Sequence, residues 1–298
     1  MKILLLTFIN VIALCFSCYS NTGIIHYKHI LITNDDGIED IERLKALANA
    51  VKNSADRVSI FVSDADRSGF SNHTVLGKHL KTLTVTMLSV DSINHISIYT
   101  TPGYPADCVL LGLSGFFGND RPDLVLSGIN GGANSGPEWF GSGTIGAARM
   151  AGFLGVKAVA LSGCDEKDPA FHSVTEWINR FINSPSIGLI EKNQYITIGF
   201  PENGSIKGVK AFDRRVSCEW PENIITRKVA GVTDQHETNI SSWTMDFKAD
   251  PRDMNKHFDD TYLKDGYIIV TVMSIDENSK AATKKIARQI PVFDESDR

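Results

Sequence analysis

Apolar positions along this chain fall into two alternating rhythms. Short β-branched runs end abruptly in polar, glycine-bearing stretches, and segments with an apolar residue every third or fourth position follow them. His29-Ile30-Leu31-Ile32-Thr33 is the first such run. It breaks at Asn34-Asp35-Asp36-Gly37, after which Ile41, Leu44, Leu47, Ala48 and Val51 share one helical stripe. Arg57 to Val62 predicts a second strand, followed by the polar stretch Ser63 to Asn72. Leu83 to Leu88 and His95 to Tyr99 alternate across a Ser, Asp and Asn linker and read as an inserted hairpin. Thr101 to Pro105 is a turn, and Ala106 to Leu113 a short helix. Asp123 to Ser127 predicts a third core strand running into the glycine-rich loop Gly128 to Gly136. Gly141 to Thr144 opens a helix through Phe153, Ala158 to Ser162 is a fourth buried strand, and Ala170 to Ile182 a helix with Trp177 on its apolar face. Strands and helices that alternate in this way predict an α/β fold whose sheet is mostly parallel and Rossmann-like, with helices on both faces.

Beyond Pro201 the rhythm weakens. Val209 to Phe212 and Tyr267 to Val272 remain strand-like, but Asn223 to Lys264 is polar and is read as an extension, an arm that packs on a partner subunit. Ser279 to Gln289 reads as a basic helix with a solvated face. The expected organisation is a leader over residues 1–20 and a single domain over 21–298, with its core at about 28–200 and the extension at about 201–298. The leader has Lys2, then an apolar run from Ile3 to Phe16 broken by Thr7 and Asn10, then small residues up to Ser20. That is the form of a signal peptide, so the mature chain is expected to be exported, periplasmic or secreted. The run is short for a membrane span. A lipoprotein reading through Cys18 fits less well, because Cys15 and Phe16 are poor upstream neighbours.

Composition narrows the function. The chain has 298 residues and 42% hydrophobic content, enough for an enzyme-sized core. A net charge of −5 supplies no basic footprint for polymeric nucleic acid. Cys108, Cys164 and Cys218 lie far apart without a C-x-x-C, which argues against a zinc ribbon or a disulfide framework, although one disulfide stays open. Cys108 falls in an apolar helical run and is expected to be packed rather than reactive.

The candidate chemistry gathers where the strands end. Asp35 and Asp36, Ser68, and Asn130 follow successive parallel strands and form an all-oxygen donor set. Such a set suits a hard divalent ion, Mg²⁺ or Mn²⁺ with Ca²⁺ as a further occupant, rather than a soft metal. Gly69 with Asn72, Gly131-Gly132 with Asn134, and Ser142-Gly143-Thr144 at a helix start offer donors for an anion. A metal beside such donors is what phosphoester hydrolysis needs, since the ion polarises a phosphoryl oxygen and lowers the pKa of water. Gly141 to Gly146 also matches G-x-G-x-x-G with Asp165 downstream, but a loop stands where a dinucleotide fingerprint requires a strand. His73 near Ser68 is a candidate proton donor, and Trp139 and Phe140 are candidates for stacking on a base or for packing. Asn72-His73-Thr74 is also a glycosylation sequon.

Five stretches in order resemble the SurE family of nucleotidases. They are Ile30 to Gly37, Asp66 to Asn72, Pro105 to Val109, Pro122-Asp123 through Ser127 to Asn130, and Ser142-Gly143-Thr144. The resemblance implies a three-layer α/β/α sandwich with a C-terminal arm exchanged in homodimers or homotetramers. It also implies a metal-dependent 5′/3′-nucleotidase acting on nucleoside monophosphates and sometimes short polyphosphate. It places metal ligands on Asp35, Asp36, Ser68 and Asn130, with Asp35 and Asp36 catalytic, and substrate-side positions on Asn72, Asn134, Ser142, Gly143 and Thr144. Asn34 and Gly69 complete the substrate side. The chain departs from the family pattern where Ile38-Glu39-Asp40 replaces an Ala-Pro-Gly turn, where Met150 replaces a glutamate, where Val272 replaces a proline, and in its leader. Two alternatives stay open: an Asp35 nucleophile giving an aspartyl-phosphate, and a catalytically weak or silent nucleotide-binding protein of the same fold.

Overall fold

The computed structural model describes residues 25–75, 82–201, 205–214, 224–228, 243–247 and 258–287. The expected signal peptide over residues 1–20, with Cys18, as well as Cys218 and most of the expected 223–264 extension, lie outside the described residues.

The first strand, β1 (Tyr27–Thr33), is buried at nearly every position, as a strand covered on both faces must be. The predicted stripe then forms α1 (Ile41–Val51), which buries Leu44, Leu47, Ala48 and Val51. After it come β2 (Ala55–Ser63), β3 (Thr86–Asp91), β4 (Ile96–Thr101), α2 (Pro105–Leu111), β5 (Leu124–Asn130), α3 (Gly143–Phe153), β6 (Lys157–Ser162), α4 (Phe171–Ile182) and β7 (Gln194–Gly199). The remaining elements are β8 (Gly208–Ala211), β9 (Ile224–Lys228), β10 (Trp243–Phe247), α5 (Asp259–Lys264), β11 (Tyr267–Ser274) and α6 (Lys280–Ala287).

One nine-stranded sheet runs β3-β4-β2-β1-β5-β6-β7-β11-β8, and β9 pairs with β10 in a separate two-stranded ribbon. From β4 to β7 every neighbouring pair is parallel. Alternate residues of β1 point to opposite faces. Ile30 and Ile32 pack in the core that also contains Leu44, Leu47, Val174 and Ile178 of α1 and α4, whereas Leu31 packs with Cys108, Val109, Ala147 and Ala151 of α2 and α3. The result is three layers. Trp177 takes its expected place on α4, stacked on Phe181 at 5.3 Å and edge-on to Phe200 at 5.9 Å. Cys108 is fully buried and free, as is Cys164 apart from a trace of exposure.

The topology fixes where chemistry can occur. The chain moves outward from β1 to β2 and β4, then returns to the other side of β1 with β5 and continues to β6 and β7. The strand order therefore reverses at β1 and β5, and a crevice opens at their carboxyl ends, where open α/β sheets bind ligands.

The structure adds to the sequence reading in three places. The expected inserted hairpin forms from β3 and β4, which pair antiparallel, and β4 also pairs in parallel with β2 so that β3 becomes the sheet edge. A strand absent from the sequence reading, β7, fills the span before Pro201 and buries Tyr195, Ile196 and Ile198. In the C-terminal span the two expected strand-like stretches form β8 and β11, which join the main sheet, and Leu263 of α5, within the expected extension, is buried.

Candidate active site

Asp35 and Asp36 stand just beyond β1, at the reversal point. Asp35 is 3% exposed and is held from α3: the Thr144 hydroxyl donates to its Oδ1, and the Thr144 amide donates to its Oδ2 at 3.0 Å. This contact requires α3 to start against the β1 turn. A Cβ on Gly143 would lie 2.8 Å from the Asp35 Cβ, so only glycine fits there without displacement. Burial pushes the Asp35 carboxyl above its ordinary pKa, while the Thr144 bonds oppose that rise.

Asp36 is less confined, and its carboxyl is perturbed in the same direction. Its Oδ2 is buried without a hydrogen-bond partner. Burial first, then the charges of Asp35 and Asp40, push its pKa up to about 7, against the pull of Arg43. Asn34 is committed to the turn, its side chain accepting from the Gly37 amide at 3.2 Å and donating to the Gly37 carbonyl at 3.3 Å.

The other expected donors come from the loops beside β1. The loop after β2 carries an exposed Ser68, whose amide donates to Asp66 at 2.7 Å, and the Arg67 amide donates to the Asp35 carbonyl at 2.7 Å. That loop lies tightly on α3, since a Cβ on Gly146 would meet the Ser71 carbonyl oxygen at 2.0 Å. At the end of β5, Asn130 donates through Nδ2 to the Gly132 carbonyl at 2.7 Å, which leaves its Oδ1 as an acceptor.

These residues fit a hard cation. The set is two carboxylates, a hydroxyl and an amide oxygen, and the orphaned Asp36 Oδ2 is the kind of buried acceptor a cation satisfies. Among the described residues no three His, Cys, Asp or Glu side chains form a metal cluster. The neutral ligands are therefore needed to complete any coordination sphere here.

The substrate-side residues divide by role. Asn134 Nδ2 is a buried donor without a partner, and Asn72 Oδ1 a buried acceptor without one. Ser142 caps α3, its hydroxyl oxygen accepting from the Ile145 amide at 3.2 Å. With the Thr144 amide taken by Asp35, the Gly143 amide and the Ser142 hydroxyl proton are the donors this helix start can turn to an anion. Thr144 thus positions Asp35 rather than facing a ligand. His73 is exposed, with its ring edge-on to Tyr104 at 4.4 Å.

Three residues that sequence reasoning passed over shape the site. Arg43 of α1 is buried and bonds Asp40 at 2.6 Å, Glu166 at 3.1 Å and the Ile129 carbonyl at 3.2 Å, with Asp36 Oδ2 at 3.9 Å. Asp165, the acidic residue of the apparent dinucleotide fingerprint, lies 3.7 Å from the same guanidinium. Buried Arg214 donates to the Asn134 carbonyl and, at 3.0 Å, to Thr197. Its neighbour Asp259, 3.7 Å away, accepts from the Gly136 amide at 3.1 Å. The glycine-rich loop is thereby clamped by residues from the C-terminal span. No local pattern marks these contacts, because the partners are far apart in sequence.

Comparisons with known proteins give a family match and a similar solved fold. The family model described as Survival protein SurE matches residues 30–220. A 5′-nucleotidase SurE of Campylobacter jejuni (strain RM1221) is 30% identical over 278 residues, covering 90% of this chain and all of that protein. A 5′-nucleotidase SurE of Thermoanaerobacter sp. (strain X514) is 33% identical over 183 residues, covering 61% of this chain and 69% of its own. The crystal structure of SurE protein from Aquifex aeolicus superposes with a TM-score of 0.69 at 24% identity, covering 88% of this chain and 99% of that one.

Proposed function

Since this chain belongs to the SurE family, we propose that it is a divalent-metal-dependent phosphomonoesterase hydrolysing nucleoside 5′- and 3′-monophosphates. The observation that carries the reading is the pairing of two acidic side chains at the end of β1, Asp35 buried and Asp36 partly exposed, with donors left for an anion on the β5 loop and at the start of α3. Asp36 Oδ2 and Asn134 Nδ2 are both buried atoms without a hydrogen-bond partner, and Asp35 is fixed to the start of α3 through Thr144.

Asp35, Asp36, Ser68 and Asn130 would hold the ion, which when bound would polarise a phosphoryl oxygen and lower the pKa of water. The chain's own groups do the rest. Thr144 holds Asp35 in one orientation by donating to both of its oxygens, and these bonds favour the charged carboxylate against the burial that raises its pKa. Asn134 Nδ2, the Ser142 hydroxyl and the Gly143 amide bind the non-bridging phosphate oxygens and stabilise the charge that grows on them. The Arg214–Asp259 pair holds Asn134 and Gly136 in register for that contact. Asp35, buried and bonded at both oxygens, is suited to hold an ion rather than to attack phosphorus as a nucleophile. Met150 packs with the core under α3, about two turns beyond Thr144, so the charge it replaces is remote from the donors.

The mature chain acts after export and assembles as a homodimer or homotetramer. The exposed Val209 and Val272 on the last strands supply apolar surface for a second copy. Phosphate release from AMP, with Mn²⁺ added, tests the activity. Release that stops with EDTA and in Asp35→Asn supports it, whereas release indifferent to both defeats it.

A further inference from the structure

Alongside the phosphate donors stands an aromatic group that hydrolysis itself does not use. Phe70, between Gly69 and Ser71, leaves 47% of its surface exposed. Its ring centroid lies 5.0 Å from that of Tyr104 and 6.3 Å from that of His73. His73 and Tyr104 meet edge to face at 4.4 Å, and the Arg67 guanidinium sits 5.7 Å from the Tyr104 ring centre. Phe70 is thus backed by other rings while nearly half of it stays open. On the adjoining loop Phe140 is 72% exposed and perpendicular to Trp139 at 5.6 Å. Ser71 ties the two loops together, its amide donating to the Gly141 carbonyl and its hydroxyl to the Phe140 carbonyl, each at 2.9 Å.

Single exposed apolar residues are ordinary, but here two ring-backed phenylalanines stand on loops bonded to each other, each within two residues of a substrate-side position. We propose that Phe70 and Phe140 are the nucleobase platform of this site and set its substrate class. The inference rests on the nucleotidase reading and deepens it. An aromatic ring stacks on any base, because every base presents a π-face. The platform therefore accepts nucleoside monophosphates with little regard to base, and favours them over phosphate esters that carry none. Phosphoserine, ribose 5-phosphate and short polyphosphate all lack the group it would hold.

The test compares AMP with ribose 5-phosphate on the Mn²⁺-loaded protein, and uses calorimetric binding of adenosine as a probe that cannot turn over. Phe70→Ala and Phe140→Ala are expected to lower kcat/KM for AMP roughly 5- to 150-fold, the range a lost base stack gives, mainly through KM. They leave ribose 5-phosphate unchanged and weaken adenosine binding by a similar factor. Phe70→Trp, which keeps a ring, retains the preference for AMP. Equal losses for AMP and ribose 5-phosphate, or adenosine binding unmoved in both alanine variants, overturn the proposal. Should the wild type hydrolyse no phosphomonoester, the nucleotidase reading fails, and adenosine binding still decides whether the platform exists.

Discussion

Arg43 offers the sharpest structural perturbation. Its guanidinium gathers Asp40 at 2.6 Å, Glu166 at 3.1 Å, Asp165 at 3.7 Å and Asp36 at 3.9 Å, and also ties down the carbonyl of Ile129. Arg43→Met keeps the apolar stem and removes the charge. Deleting one partner of a buried ion pair costs about 3–5 kcal/mol, because the other charges are left uncompensated. Here the side chains of Asp36 and Asp40 each keep 25% exposure and that of Glu166 keeps 36%, so water screens part of the loss. The low end, about 3 kcal/mol, is therefore expected. At about 2–4 °C per kcal/mol for a domain of this size, Tm falls by roughly 6–12 °C near pH 8. Melting followed by circular dichroism in EDTA measures it. Near pH 5 the loss shrinks, since Asp36, with its pKa near 7, is already mostly protonated there and no longer needs the cation. A drop below about 2 °C near pH 8 would refute the idea that Arg43 holds these loops together.

Other predictions follow from the same geometry. The pKa of Asp36 is raised by burial and by Asp35 and Asp40, so its contribution favours the fold at low pH and is lost as pH rises from about 4 through about 7. The metal-free protein should therefore melt lower near pH 8 than near pH 5, and Mn²⁺ should restore stability most at the higher pH; a melt that rises with pH in EDTA counts against this. Thr144→Val removes a hydroxyl bond to the Asp35 carboxylate and should cost about 1.5–3 kcal/mol, read by urea unfolding. Gly146→Ala places a methyl 2.0 Å from the Ser71 carbonyl oxygen, which forces the 68–72 loop off α3. It should cost about 1–3 kcal/mol and sharply reduce AMP hydrolysis, whereas Gly188→Ala, where a Cβ meets nothing within 4 Å, should leave that loop in place.

Much of the parallel sheet was legible because its strands are buried on both faces and read as unbroken β-branched runs. Asp35, Asp36, Ser68 and Asn130 were legible for a related reason, since polar residues that end such runs sit at one edge of the sheet. The strand β7 was harder to place, although Tyr195-Ile196-Thr197-Ile198 has the right residue types. It follows an irregular stretch with Pro185 and Gly188 and stands beside the break at Pro201. Arg214 and Asp259 left no local trace at all. Each acts on a loop that tertiary folding alone brings near, Arg214 on the carbonyl of Asn134 and Asp259 on the amide of Gly136. Thr144 shows the limit of motif reading: its place in Ser142-Gly143-Thr144 suggests a substrate contact, but its hydroxyl and amide both serve Asp35.

Anomalous diffraction from a crystal soaked in Mn²⁺ tests the central claim most directly. The account predicts one strong peak bounded by the carboxylates of Asp35 and Asp36, the Ser68 hydroxyl and the Asn130 amide oxygen, lost in Asp36→Asn. A manganese peak elsewhere, with none in the crevice between β1 and β5, would contradict it.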